Sequence, residues 1–338
     1  MSDPRPKILV ALTEKELRDF LPAAATTWPT DKAVITRSVP PGSAADWEAL
    51  LLRERPQVLV AAWSTPTLPA GLLRPGNDFL KYVCYLAGGV RKLVPREFVE
   101  RGLLVTNWGN SISRTIAECA LMLTLMALRR AAYWAREMHC PRQVWKNHES
   151  VTESLFGRRV GLHGFGAIAQ ALVPLLQPFG GRIQAYSPYN ADEDFTRLGV
   201  ERASSLEQLF SENDVFIELA PLTEETRHLV GEKLLRRLPA GAVFVNTGRG
   251  AVVDEAALAR VAAEGRIHLA LDVYDREPLP ADSPLRRLDN VTLLPHMGGP
   301  TSDRKRDAGA YALHNLERYL RGEPLLNPMD LTTYDRST

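Results

Sequence analysis

The stretch Val160-Gly161-Leu162-His163-Gly164-Phe165-Gly166-Ala167-Ile168-Ala169 decides how the rest of the chain is read. Val160 to His163 is a short apolar run stopped by glycine, the pattern of a buried strand. Behind Gly166, apolar residues recur at helical spacing: Ile168, Ala171, Leu172, Leu175 and Leu176. Strand, glycine turn and helix in succession is the context in which G-x-G-x-x-G holds a dinucleotide. Gly164 permits the tight turn, and Gly166 lets a pyrophosphate approach the backbone. The helix start offers unpaired N–H groups and a partial positive charge. Ala169 takes the third glycine position and adds one methyl group at the helix–strand contact. Gly164, Phe165, Gly166, Ala167 and Ile168 are the expected phosphate seat.

Working outward, 338 residues suffice for about two domains. A hydrophobic fraction of 45% allows a real core and argues against disorder. Lys plus Arg (41) balances Asp plus Glu (40), which removes any electrostatic case for nucleic acid or an anionic membrane as partner. Cys84, Cys119 and Cys140 form no CxxC pair, which suits free thiols in a reducing cytoplasm. No His or Cys pair has metal-ligand spacing. The longest mostly apolar run, Cys119 to Leu128, falls well short of the roughly 20 residues that span a bilayer. A cytoplasmic location is the expectation.

The first third alternates predicted strands and helices. Strands are expected at Lys7–Leu12, Ala33–Thr36, Gln57–Ala62, Phe79–Leu86 and Leu103–Thr106, and helices at Thr13–Phe20, Ala44–Arg53 and Pro95–Glu100. Such alternation implies a parallel sheet covered on both faces. Ser113 to Met138 lacks Gly and Pro and reads as one long helix, with Thr115-Ile116-Ala117-Glu118 resembling a capping box near its start. Cys140 to Ser154 reads as an irregular arm. Six strands then follow, at Val160–His163, Ile183–Tyr186, Val215–Leu219, Ala242–Asn246, Ile267–Asp272 and Val291–Leu294, a doubly wound pattern. A last helix is expected at Thr301–Arg321.

Four stretches, taken in order, resemble the D-isomer-specific 2-hydroxyacid dehydrogenases. They are His163-Gly164-Phe165-Gly166-Ala167-Ile168-Ala169, Val245-Asn246-Thr247-Gly248-Arg249-Gly250, Leu271-Asp272-Val273-Tyr274-Asp275-Arg276-Glu277-Pro278 and Leu294-Pro295-His296-Met297-Gly298-Gly299. The resemblance implies an α/β chain of two Rossmann-like doubly wound domains. A flavodoxin-like substrate domain would comprise residues 1–111 and 301–338, a dinucleotide domain residues 112–300, with the site in the cleft between them. It places the catalytic set on Arg249, Glu277 and His296. An Arg offers a planar fork to a 2-keto acid's carboxylate and carbonyl oxygens. A His near neutral pKa gives a proton to the alkoxide and takes it back in reverse. A carboxylate beside the His favours its charged form.

By the same resemblance Ser187, Ala220, Pro221, Thr226, Thr247, Gly248, Asp272 and Gly298 line the cofactor, Asp272 facing the nicotinamide amide. Ser187 stands where the family has an acid for the ribose hydroxyls. That removes one barrier to NADP(H), yet no Arg or Lys follows directly in Pro188-Tyr189-Asn190, so NAD(H) is expected ahead of NADP(H). Ser64, Gly89 and Val90, with Arg249, are the expected substrate contacts. Arg91 and Lys92 depart from the family's polar pair. They are either solvated charges or a seat for a second anionic group. Trp63 and Trp108 either narrow the pocket or simply pack. The expected partner is a small 2-hydroxy or 2-keto acid, and the expected assembly a homodimer. A dinucleotide-sensing, corepressor-like binding protein on the same fold is the alternative.

Overall fold

A computed structural model describes residues 5–23, 27–140, 145 and 151–336. The chain divides into two compact units, residues 1–112 with 300–338 and residues 113–299.

The first unit opens with β1 (Lys7–Ala11), α1 (Glu14–Phe20), β2 (Val34–Ser38), α2 (Ala44–Glu54), β3 (Val58–Ala61), β4 (Tyr82–Tyr85), α3 (Arg96–Glu100) and β5 (Leu104–Thr106). The strands lie parallel in the order β2-β1-β3-β4-β5, the flavodoxin-like winding. β3 and β4 are buried along their whole length, which is why they read as unbroken apolar runs. The core joins Leu9, Leu59, Val83 and Val105 to Trp47 and Leu51 of α2. The direction of winding switches between β1 and β3, so the loops after those strands form this sheet's natural ligand edge.

The second unit begins with α4 (Ser113–Leu128) and α5 (Ala131–His139). The expected single helix over Ser113–Met138 is therefore two. Arg130 adopts φ 50°, and the Leu128 carbonyl accepts from the Glu153 N–H at 2.8 Å, so the ladder ends there. Thr115 lies inside α4 and caps nothing; the capping box is instead at the start of α1, where Thr13 and Glu16 bond reciprocally. The arm expected over Cys140–Ser154 lies mostly outside the described residues.

There follow β6 (Val160–His163), α6 (Ala167–Leu176), β7 (Ile183–Tyr186), α7 (Asp192–Arg197), β8 (Glu201–Arg202), α8 (Leu206–Glu212), β9 (Val215–Glu218), α9 (Glu232–Leu235), β10 (Val243–Asn246), α10 (Glu255–Ala263), β11 (His268–Leu271) and β12 (Val291–Leu293). All pair in parallel, in the order β12-β11-β10-β9-β6-β7-β8. With β6 as the first strand this is the dinucleotide winding, extended by one strand at the β12 edge. Seven strands stand where six were expected. β8 is only two residues long and both are exposed, so it carried no apolar signal. Apolar clusters cover both faces, one around Phe210, Phe216, Phe244 and Leu269, the other around Leu123, Leu162, Leu172 and Val245. The switch point falls between β6 and β9, directly beneath the glycine turn.

The chain then returns to the first unit in α11 (Lys305–Leu320) and α12 (Leu331–Arg336). α11 packs on α1 and beside β4, with Tyr319 stacked on Tyr82 at 4.8 Å. Tyr334 of α12 is buried and its hydroxyl donates to the Val94 carbonyl at 2.7 Å. Arg91 holds the same segment: its Nε donates to the Tyr334 carbonyl at 3.1 Å and its Nη2 to that of Asp335. Arg91 is thus an exposed docking point for the C-terminal helix rather than a purely solvated charge.

Candidate active site

Three loops leave the carboxyl ends of β10, β11 and β12 and carry Arg249, Glu277 and His296. Asn246, the last residue of β10, folds the first loop. Its Oδ1 accepts from the Gly248 N–H at 3.0 Å, and its Nδ2 donates to the Arg249 carbonyl at 3.2 Å. Gly250 then lets this loop touch the next one. A β-carbon there would lie 1.8 Å from the Tyr274 carbonyl carbon, a gap that only glycine fits. The Arg249 loop is thereby held against the Tyr274–Glu277 loop.

That second loop is held on every side. The Tyr274 N–H donates to Glu277 Oε1 at 3.1 Å, the Tyr274 hydroxyl to the Leu294 carbonyl at 2.7 Å, and the Asp275 N–H to Glu255 Oε2 at 2.9 Å. Burial pushes the Glu255 carboxyl up. The remaining Glu277 oxygen, Oε2, lies 2.7 Å from His296 Nδ1. A carboxylate there acts as acceptor, so Nδ1 carries the proton and Nε2 is the nitrogen left for chemistry.

His296 stands at φ 51°, a left-handed conformation that costs a non-glycine residue about 1 kcal/mol or more and persists only where the surroundings enforce it. Asp272 does the enforcing. It is 1% exposed; its carbonyl accepts the His296 N–H at 2.9 Å, and its two carboxylate oxygens accept those of Met297 (2.7 Å) and Gly298 (2.8 Å). Arg249 is half-buried. That burial lowers its pKa, and the nearby Glu277 charge pulls it part of the way back. It remains a cation at neutral pH, since Arg is not deprotonated in proteins. Glu277 is therefore the shared centre, hydrogen-bonded to the imidazole and coupled electrostatically to the guanidinium.

Part of the expected dinucleotide seat, Gly164, Gly166 and Ala220, lies at the β6–β9 switch point. Gly164 has φ 87°, and a β-carbon on it would come within 3.0 Å of the Ala220 backbone. Gly166 begins α6 with no side-chain cap, and nothing lies within 4 Å of where its β-carbon would be. A helix start with exposed N–H groups beneath open space fits a pyrophosphate. Thr247 Oγ1 is buried without a hydrogen-bond partner, as a group lining a ligand can be. The Phe165 side chain faces the other way, stacked on Phe195 at 4.5 Å, so only its backbone is on offer. Ala167 and Ile168 form the first turn of α6. Thr226 folds the loop after β9: its hydroxyl donates to the Pro221 carbonyl at 2.7 Å and accepts from the Thr223 N–H at 2.7 Å.

Ser187, at the end of β7, is buried and donates to Asn190 Oδ1 at 2.8 Å. No cation follows it directly in sequence, but β8 brings one: Arg202 Nη2 donates to the Ser187 carbonyl at 3.4 Å. Arg202 is paired with Asp192 and lies over the Phe195 ring at 5.2 Å.

In the first unit, Ser64 is committed. Its N–H (2.8 Å) and its hydroxyl both donate to Glu16, which also accepts from Thr13. Glu16 is 8% exposed. Burial pushes its carboxyl up, but the Ser64 and Thr13 hydrogen bonds together outweigh burial and hold it below its ordinary value. Val90 is buried, so only its backbone can meet a substrate, and Trp108 lies over the neighbouring Gly88. Trp63 is half exposed, edge-on to Trp108 at 6.1 Å and against Phe20 at 5.2 Å. Glu16, Glu255 and Gly250 were missed from sequence, since each acts through a partner in another loop, whereas Asn246 acts within its own loop and was visible only as a strand-end residue.

Comparison with known proteins bears on the same residues. Residues 121–298 match the family model described as "D-isomer specific 2-hydroxyacid dehydrogenase, NAD binding domain". The chain is 36% identical over 248 residues to a glyoxylate reductase of Korarchaeum cryptofilum, covering 72% of this chain and 74% of that protein. It is 34% identical over 248 residues to a glyoxylate/hydroxypyruvate reductase B of Yersinia pestis, covering 70% and 74%. Its fold is shared with the D-mandelate dehydrogenase of Rhodotorula graminis, at a TM-score of 0.81 and 24% identity over 96% of this chain and 98% of that one.

Proposed function

Because the chain belongs to the D-isomer-specific 2-hydroxyacid dehydrogenase family, we propose that Arg249, Glu277 and His296 carry out its NAD-dependent interconversion of 2-hydroxy and 2-keto acids. The observation that carries the assignment is the Glu277 carboxylate, 2.7 Å from His296 Nδ1 and coupled to the half-buried charge of Arg249.

The nicotinamide, when bound, supplies or accepts the hydride at C2 of the substrate. The residues do the rest. The Arg249 fork takes the substrate carboxylate and the carbonyl oxygen, where its charge is worth more for being desolvated. As C2 is reduced, negative charge collects on the former carbonyl oxygen. His296 Nε2 donates a proton there, and Glu277 holds the ring in the matching tautomer and stabilises the imidazolium. In the oxidative direction the neutral ring removes the hydroxyl proton. Asp272 fixes the backbone on which His296 stands, and Gly164–Ile168, Ala220–Pro221, Thr226, Thr247–Gly248, Asp272 and Gly298 would hold the dinucleotide. In the first unit, the substrate domain in this reading, Ser64 holds the loop beside Trp63.

The cofactor is NAD(H) ahead of NADP(H). The support is the commitment of the Ser187 hydroxyl to Asn190 and of Arg202 to Asp192: a 2′-phosphate would have to displace that pair. The substrate is a short 2-keto acid of the glyoxylate or hydroxypyruvate type, after the relatives' names. A cytoplasmic homodimer completes the proposal. It is supported by three free cysteines and by the exposed methionines Met122 and Met138 on α4 and α5. A panel of 2-keto acids with NADH and with NADPH, followed by nicotinamide absorbance, tests the whole reading. Turnover with NADH on short keto acids is the expected result, and no turnover on any of them would defeat it.

A further inference from the structure

His163 and Glu218 stand outside the reaction, yet they occupy the place on which the dinucleotide turn is built. They are register partners at the carboxyl ends of β6 and β9, the two strands that flank the switch point. Both are buried, at 4% and 0% exposed, and His163 Nδ1 lies 2.6 Å from Glu218 Oε2. The other carboxylate oxygen, Oε1, accepts the Ala220 N–H at 2.8 Å. The His163 ring sits between Tyr186 and Phe216, with centroids at 6.2 and 6.4 Å. Directly after His163, the Gly164 N–H donates to the Tyr186 carbonyl at 2.9 Å, and the Gly164 α-carbon faces the Ala220 backbone.

The positions just before them on β6 and β9, Leu162 and Ile217, are apolar, and a buried carboxylate has a large desolvation cost that an apolar pair would avoid. An apolar pair would not tie the two strand ends together, however. Beyond them the chain departs on both sides, and the last ladder bond is that of the Leu219 N–H to the His163 carbonyl at 2.9 Å. Glu218 reaches past that bond in both directions. One oxygen holds the residue before the glycine turn, and the other holds the peptide that faces the turn.

We propose that the His163–Glu218 pair is a positioning element for the dinucleotide, setting the separation of the Gly164 turn and the Ala220–Pro221 strand end and through it the affinity for the cofactor. This rests on the reading of the Gly164 turn as the phosphate seat. Neither residue touches the reacting atoms, so its signature is a split between cofactor affinity and turnover.

The test uses the full chain, NADH titrated by fluorescence or calorimetry, and kcat at saturating NADH. His163→Leu leaves the Glu218 carboxylate without its ring partner, and Glu218→Leu leaves the Ala220 N–H without an acceptor. Each should raise the NADH Kd about tenfold or more, with kcat within about threefold of the parent. Glu218→Gln can accept from Ala220 with its oxygen and donate to the ring with its nitrogen, so it should bind NADH within about threefold of the parent. NADH affinity unchanged in both leucine variants, whether or not the melting temperature falls, would overturn the proposal. So would Glu218→Gln binding as poorly as Glu218→Leu. Gly166→Val serves as the reference: if it binds NADH normally, the phosphate-seat reading itself fails, independently of this pair.

Discussion

Replacing Gly250 by alanine tests whether the spacing of two loops sets the rate. A β-carbon at this position would lie 1.8 Å from the Tyr274 carbonyl carbon and 2.0 Å from its oxygen, whereas ordinary contact begins at 3.4 Å. One backbone must therefore retreat by about 1.6 Å. The Tyr274 N–H is a donor to Glu277, so the retreat separates Arg249 from the Glu277–His296 pair. A misplacement of about 1 Å at a catalytic group costs about a hundredfold in rate, or about 2.7 kcal/mol of transition-state stabilisation. Overpacking of this kind also costs about 1–3 kcal/mol of stability. The assay is kcat/KM for a short 2-keto acid with NADH, with the melting temperature and NADH Kd measured on the same preparation. The expected outcome is a folded protein that still binds NADH and has lost at least about a hundredfold in kcat/KM. A folded Gly250→Ala protein with parental kcat/KM would show that the loop contact does not position the catalytic set.

Three further outcomes are expected. Gly166→Val should fold normally, because the space beside Gly166 is open, and should weaken NADH binding at least about tenfold by filling the pyrophosphate's place; unchanged binding in a titration would refute that. Asp272→Ala leaves the Met297 and Gly298 N–H groups without acceptors, so it should lower stability by about 1–3 kcal/mol and speed amide exchange at those two residues; unaltered exchange would contradict the role given to Asp272. Glu16 has its pKa lowered in the folded state. Its contribution is therefore present above its ordinary value of 4.5 and lost as pH falls through the lower folded value. Denaturation of the parent and Glu16→Gln, compared at about pH 7 and about pH 4, should give a difference that shrinks on acidification. A difference that does not change with pH would refute it.

The fold class and the family could be read because their signals are local. Val160–Ala169 places strand, turn and helix within ten residues, and Arg249, Glu277 and His296 each sit just past a strand that announces itself by apolar residues. What escaped depends on partners distant in sequence. Glu218 is an acid inside an apolar strand, a visible oddity, but its meaning needs the β6–β9 register that puts it opposite His163. Glu16 reads as an ordinary helix-start acid until Ser64 arrives from another loop. Arg202 becomes relevant to Ser187 only because a two-residue edge strand pairs with β7. The break at Arg130 carries no Gly or Pro, and its cause is a carbonyl captured by Glu153. Arg91 could not be interpreted while its partner, α12, lay more than 200 residues away.

The central claim is that His296, poised by Glu277, exchanges the proton while the rest of the site binds. Its most direct test is His296→Ala, measured as kcat for reduction of a short 2-keto acid at saturating NADH, with NADH Kd determined in parallel. The account predicts a fall in kcat of about 10²–10⁴-fold with NADH affinity essentially kept. Parental turnover in that variant would contradict it.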